Sequence, residues 1–461
     1  MSRNNRHAAG LFFGMVLISS GSWGANLVDA WIAAQQNDPE FAAARADYQA
    51  GMTQSTQARA LLLPQVVGTA GVGRASMQNT TEGAQFSTPA MGTSNQVDFR
   101  TSINNGTDNQ WRVQAVLPLF DGANSAKSRQ LNAGADLAEA RYRQARQDLI
   151  LRTAQAFLGV IQARENVATL ILQQAGVEQT LRQTRERFRL GDLPVTDSDE
   201  AQAMADGLQA ELLAAQSDLQ LKSRAYQDLT QLNPNDIPAL NPDGNAAPSS
   251  LAPLADWQQR ALLHSPLVVM QSYGDEVARY EIDKYRMETA PTVSLVGSVG
   301  SDRLSGSGNY GPSSITSNTR MIGLQLSIPL YSGGFRGAKF EQAIQLKEKA
   351  GFDLQSTRLW VARQVEANWL GLTVGAARVQ ALRQAVKSNL ARMKATQLGS
   401  QNGERSTLDV LNAHTAQAQS QTQLLVAQSN LMIDRLQLDA LAGELDEREL
   451  MALDGILLTS P

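Results

Sequence analysis

Along most of the chain, apolar positions recur at helical spacing, and two short regions in each half alternate with a period of two. One long series runs Leu131, Ala135, Ala138, Tyr142, Ala145, Leu149, Thr153, Ala156, Val160, Ala163, Val167, Leu170, Gln174, Val177, Leu181, Thr184, Phe188. Its steps alternate between four and three, with one doubled four. That is a heptad seam with a stutter, and it predicts one rod over 124–189. Gly191 and Pro194 mark a stop and a turn. Thr196 or Asp197, with Glu200 three further on, predicts the start of a return helix to about Gln231. A second rod is expected from about Arg336 to Leu398. A turn around 399–406 and a return helix to about Leu441 complete that half, with Ser406 and Asp409 spaced as a capping pair. Shorter amphipathic helices are expected near 27–62 and 254–289.

The period-two segments follow Pro64 (Val66, Gly68, Ala70, Val72) and run again at 111–117, 293–299 and 321–328. They read as four strands. The polar, glycine-rich stretches 77–109 and 301–319 between them read as long exposed hairpin loops.

These parts occur twice in the same order. Pro39 to Pro266 and Pro64 to Pro291 are each offset by 227 residues. Pro118-Leu119-Phe120-Asp121-Gly122 and Pro329-Leu330-Tyr331-Ser332-Gly333 are offset by 211, and Gly191 and Gly403 by 212. The chain therefore reads as a tandem duplication with about 16 residues lost between the second and third landmarks, a period far longer than solenoid repeats. The division is 25–243 for the first repeat and 244–461 for the second. The latter ends in a tail, and the proline-rich piece 233–253 links the two.

Residues 1–24 have the form of a secretory signal peptide: Arg3 and Arg6, a short apolar run at 11–18, and Ser22-Trp23-Gly24 before the cut. The run is too short for a spanning helix. Loss of Arg3 and Arg6 takes 40 basic residues to 38 against 44 acidic, net −6. That charge argues against a nucleic-acid partner. There is no cysteine, so disulfides, thiolate metal sites and a lipidated N-terminal cysteine are excluded. Three histidines (His7, His264, His414) and no convergent catalytic motif argue against an enzyme, a metal or a cofactor.

In a chain carrying a secretion address and no apolar helix, such strands fit an outer-membrane barrel. Four strands cannot close one, and an open edge in lipid is not viable. The barrel would have to be shared: three chains give twelve strands. A secreted structural or adhesive trimeric coiled coil is the alternative.

Several motifs sharpen this. They are Asn26-Leu27 with Asn37-Asp38-Pro39; Leu63-Pro64-Gln65; Pro118-Leu119-Phe120-Asp121-Gly122; Arg187-Phe188-Arg189-Leu190-Gly191 leading to Val195-Thr196-Asp197; Pro329 to Gly334; and Thr407-Leu408-Asp409-Val410-Leu411-Asn412-Ala413. In this order they resemble the TolC family of outer-membrane channel-tunnels. The resemblance implies an α+β membrane protein: a homotrimeric 12-stranded β-barrel, four strands per chain, continuous with a long α-helical coiled-coil barrel in the periplasm. It implies a passive duct for efflux or type I secretion, with a periplasmic adaptor (membrane fusion) protein, an inner-membrane transporter and outer-membrane lipid as partners.

It also implies sites. Thr196, Asp197 and Arg405 match gate positions at the helical tips. The family's gate tyrosine falls on Ser400 and its gate glutamine on Thr180, so this gate should be held by fewer bonds. The two lumen aspartates of the family fall on Asp409 and Asn412, leaving one carboxylate ring rather than two. Leu190, Gly191, Asp192 and Asn402, Gly403, Glu404 are the tip residues expected to meet the adaptor. His414 is read as structural, and Trp111, Phe120 and Tyr331 as aromatics at the edge of the membrane.

Overall fold

The computed structural model describes residues 26–90, 92–239, 241 and 251–457. The signal-peptide reading of 1–24, and most of the linker, lie outside them. The element order is α1 (Leu27–Asn37), α2 (Pro39–Ala60), β1 (Gln65–Thr88), β2 (Gly92–Phe120), α3 (Gly122–Arg189), α4 (Val195–Thr230), then α5 (Leu254–His264), α6 (Pro266–Met287), β3 (Thr292–Gly308), β4 (Gly311–Ser327), α7 (Phe335–Gln401), α8 (Thr407–Leu441) and α9 (Glu447–Leu457). The chain forms two compact units. Among the described residues, one comprises those up to Ala42, those within 145–261 and those from Arg363 on; the other comprises those within 43–144 and 262–362.

In the first unit Leu149, Thr153, Val160, Ala163, Val177, Leu181 and Thr184 of the α3 seam are buried, Ala156, Val167, Leu170 and Gln174 are half-buried, and Phe188 at its end is exposed. Phe157 of α3 meets Tyr226 of α4 edge to face, with ring centroids 6.2 Å apart. Trp31 of α1 is buried and lies under the Arg146 guanidinium, 5.5 Å from ring centroid to Cζ. The C-terminal α9 is tied to the start of α1, where the Leu27 and Val28 amides donate to the Asp454 carboxylate at 2.9 and 3.1 Å. A carboxylate at a helix N-terminus satisfies donors that have no partner within the helix.

The expected single helices at 27–62 and 254–289 are each two helices. The break falls at Asp38 and at Ser265, because each precedes a proline and the α conformation is disfavoured there. Asp38 uses the break. Its carboxylate accepts the Phe41 amide at 3.2 Å and holds Arg152 of α3 at 2.6 Å.

In the second unit the four strands form one antiparallel sheet in the order β1-β2-β3-β4. Within the expected loops 77–109 and 301–319, residues 77–88, 92–109, 301–308 and 311–319 are instead strand. Pairing runs to Thr88↔Gly92 and to Gly308↔Gly311. The ladder is made by backbone groups, which pair irrespective of whether the side chains are apolar. Polar composition therefore hid the strands without preventing them. The second rod also runs past its expected end: Gly399 is helical, and Gly403 is the residue at φ +79°.

Asp439, at the end of α8, is buried. Burial first, and the nearby Glu449 next, push its pKa to about 7, with Arg435 opposing. The folded state therefore holds a proton that an unfolded aspartate releases above about 4. This contribution to stability is full below about pH 4 and is lost as pH rises through 7. Thermal unfolding of Asp439→Asn should show a shallower fall across that range than the parent. Asp38→Ala should cost about 2–4 kcal/mol in denaturant unfolding, because it removes a cap and leaves Arg152 without that carboxylate; Asp38→Asn should cost less.

Candidate membrane band and helical tips

In an antiparallel sheet, directly paired residues lie on the same face. One face of this sheet collects Val66, Gly68, Ala70 and Val72 of β1; Trp111, Val113, Ala115 and Leu117 of β2; Val293, Leu295, Gly297 and Val299 of β3; and Ile322, Leu324 and Leu326 of β4. Ile322 and Leu324 are 79% and 70% exposed. The opposite face carries Thr69, Arg112, Gln114, Ser294, Ser298 and Gln325, interspersed with Val67, Val116, Val296 and Met321. The apolar run covers seven residues on β1, β2 and β3, about 23 Å along each strand at about 3.3 Å per residue, and five on β4, where Arg320 pairs with Val299. A transmembrane barrel presents such a band to lipid and a polar face to its interior. The outer strands β1 and β4 each pair on one side only, with β2 and with β3. Among the described residues no helix is long and apolar enough to cross a membrane. Trp111 stands at the band's rim; Phe120 and Tyr331 lie exposed at its helix-side end.

The two tips are built alike. At the first, Gly191 takes φ +85°, and the Asp192 amide donates to the Arg187 carbonyl at 2.8 Å. At the second, Gly403 takes φ +79°, and the Glu404 amide donates to the Gly399 carbonyl at 2.8 Å. Both are Schellman endings, which need a residue able to enter the left-handed region. Leu190, Gly191, Asp192, Asn402, Gly403 and Glu404 are all exposed on these turns.

The return helices start differently. Ser406 and Asp409 form a full capping box: the Asp409 amide donates to Ser406 Oγ, and the Ser406 amide to Asp409 Oδ2, each at 3.1 Å. Those bonds, with Arg405 and Arg392 nearby, hold the Asp409 carboxyl below the usual carboxylate range. The expected cap at Thr196 or Asp197 is absent. The cap position is Pro194, without a side-chain bond. Extended backbone at Pro194 puts Val195 as the first helical residue, so Thr196 and Asp197 already lie inside the first turn. Thr196 is exposed and Asp197 half-buried.

Thr180 and Ser400 are brought together. With Gln179, Gln183 and Thr184 of α3, Gln397 and Gln401 of α7, and Thr407 and Val410 of α8, they line a groove of about 460 Å³. The hydroxyl of Thr180 is spent within its own helix, donating to the Gly176 carbonyl at 3.0 Å. Arg405 lies against Gly399, where an added Cβ would come within 2.9 Å of its Cγ. Asn412 is exposed, one turn along α8 from Asp409. His414 packs on Gly176, and burial pushes its pKa down, so it is neutral at pH 7. The glutamines lining the groove were not singled out from sequence; they belong to a helix face that reads as ordinary polar surface.

A sheet with a lipid-facing band, joined in sequence to helical rods of 68 and 67 residues, defines an outer-membrane channel-tunnel. The family model for outer membrane efflux proteins matches residues 32–232 and 257–444, and the chain belongs to that family. It is 27% identical to the alkaline protease secretion protein AprF of Pseudomonas aeruginosa, over 95% of this chain and 88% of that one. It is also 27% identical to the outer membrane protein TolC of Vibrio cholerae, over 94% of each. The crystal structure of the outer membrane protein VceC of Vibrio cholerae superposes with a TM-score of 0.67 at 19% identity, covering 90% of this chain and 96% of that one. The protein is thus an outer-membrane exit duct of the efflux and type I secretion class, with its helical part in the periplasm. The family is a transport family, not a catalytic one.

Ser406→Ala should weaken the start of α8 by about 1 kcal/mol. Faster amide exchange confined to residues 407–410 is the expected readout.

Proposed function

We propose that three copies of this chain form one duct, recruited by a periplasmic adaptor and an inner-membrane transporter, and that the duct is closed at its helical tips. The observation that carries this reading is the two-faced sheet with unpaired outer strands. In lipid those strands must find partners, and a second and third copy supply them. The same reading takes residues 25–243 and 244–461 as duplicated halves. Their equal element order and matching tip turns support it.

At the tips, Arg405 is exposed and close enough to Asp409 to depress its pKa. An arginine so placed can tie a carboxylate of a neighbouring copy by a charge-assisted bond that breaks on recruitment. Thr196 and Asp197 are the first-tip residues on offer for that tie. Ser400 and Thr180 stand where bulkier groups would bond across, so this gate holds with fewer ties. Asp409 supplies one carboxylate ring for the trimer, and Asn412 supplies none, which makes cation focusing modest. The six exposed tip residues, 190–192 and 402–404, are the adaptor's landing surface. The cargo we assign is a secreted polypeptide, on the strength of the relative named for alkaline protease secretion.

Arg405→Ala should raise single-channel conductance in planar bilayers, and unchanged conductance would remove Arg405 from the gate. Asp409→Asn should lower the preference for cations in reversal-potential measurements. In a deletion strain, loss of one secreted protein with unchanged drug sensitivity supports the secretion cargo; the reverse pattern assigns efflux.

A further inference from the structure

The strands are longer than a membrane requires. About ten residues span a bilayer, yet β1 has 24 and β2 has 29. The β3–β4 hairpin ends at residues 308–311. The last pair joining β2 to β3 is Asn104↔Ser307. Beyond it, β1 and β2 continue alone as a two-stranded ribbon, residues 76–88 and 92–104, on the side of the band away from the helices.

At the root of this ribbon the chain bends. β2 carries one extra residue between Ile103 and Gly106, with Asn105 at φ +49°. Such a bulge bends a strand and re-aims the residues beyond it. Gly106, Gly306 and Leu304 share the face of Asp108, Gln110 and Arg112. On that face Ile103 covers both glycines: a Cβ on Gly106 would lie 2.8 Å from Ile103 Cγ2, and one on Gly306 2.9 Å from it. Ile103 is wholly buried there. The Ser102 hydroxyl then accepts the Asn309 amide at 3.2 Å and holds the ribbon to the end of the shorter hairpin.

Past the bulge the large apolar side chains of the ribbon fall on the other face. Met77 pairs with Ile103, Thr81 with Phe99, Ala84 with Val97, and Phe86 with Ser94. Each bulge between these pairs adds one residue to a single strand and keeps the face. Met77, Phe86, Val97, Phe99 and Ile103 therefore lie along one face, the one continuous with the polar face below, with Asn79, Thr81, Ser94 and Thr101 between them. The rings of Phe86 and Phe99 stack at 6.5 Å. They are 45% and 52% exposed, and Met77 is 41% exposed. The other face carries Gln78, Thr80, Arg100 and Ser102.

An apolar stripe on a ribbon surrounded by water needs a cover. In a three-fold duct the polar sheet face looks toward the axis, so this stripe looks toward the same stripe on the other two copies. We propose that the apolar stripe of Met77, Phe86, Val97 and Phe99 docks against its own counterparts in the trimer, making a second, outward constriction above the barrel. This rests on the trimeric reading of the sheet edges. It makes the outer mouth a sieve that admits an extended chain leaving and resists bulky solutes entering.

The absence of native cysteine permits a direct test in the full-length protein in whole cells. Phe99→Cys and Arg100→Cys, on opposite faces, are treated with a short bis-maleimide. Phe99→Cys should give cross-linked dimers from most chains, and Arg100→Cys several-fold less. Equal cross-linking at both positions, or none at Phe99→Cys in a protein that still runs as a heat-resistant trimer, overturns the stripe contact alone. Absence of the trimer overturns the shared-barrel reading instead. In a second measurement, Ser298→Cys on the polar sheet face is labelled from outside with a polymer-linked maleimide. Adding Phe86→Ser and Phe99→Ser should speed that labelling several-fold, while a small maleimide reacts at an unchanged rate. An unchanged polymer rate overturns the sieve.

Discussion

An unpaired strand edge cannot stand in hydrocarbon. Each free N–H or C=O there costs several kcal/mol, and the outer strands β1 and β4 present such edges along the apolar band. No single chain of this design can be complete in a membrane. The sheet's two faces, its attachment to helices at Gln65 and Phe120, and the paired rods all follow once the edges are shared among copies.

The rods face a different constraint. A helix of 68 residues has no globule to pack into. It must bury a narrow seam against neighbours, and alanine on that seam lets backbones approach closely. The low aromatic content, 5% of the chain, fits such seams better than it fits a thick core. Where a rod reverses, two glycines at positive φ and one capping box carry the turn chemistry. Away from the tips, Asp38, Asp439 and Asp454 are buried or half-buried carboxylates. Two of them fasten short helices to their neighbours, Asp38 through Arg152 and Asp454 through the start of α1.

Much of this was legible in the residues. Heptad spacing located α3 to within two residues at its start, and Ser406 with Asp409 announced its capping box. The misses share causes. Thr, Ser, Asn and Gln in the long hairpins resemble loop composition, and nothing in their hydropathy reports that a backbone ladder continues through them. Asp38 and Ser265 sit inside an apolar period that runs on across the break, so periodicity hid the effect of the proline after each. Thr196 and Asp197 have good cap chemistry but lie too late in the chain, because Pro194 takes the extended conformation first. The tip groove was invisible for another reason: it joins Thr180, Ser400 and Thr407 from three helices, and only tertiary packing brings them together.

The central claim is that the barrel is shared. Native mass spectrometry of the particle extracted from outer membranes measures it most directly. The account predicts three chains per particle, with no monomer retained in the membrane fraction. A stably inserted single chain would contradict it.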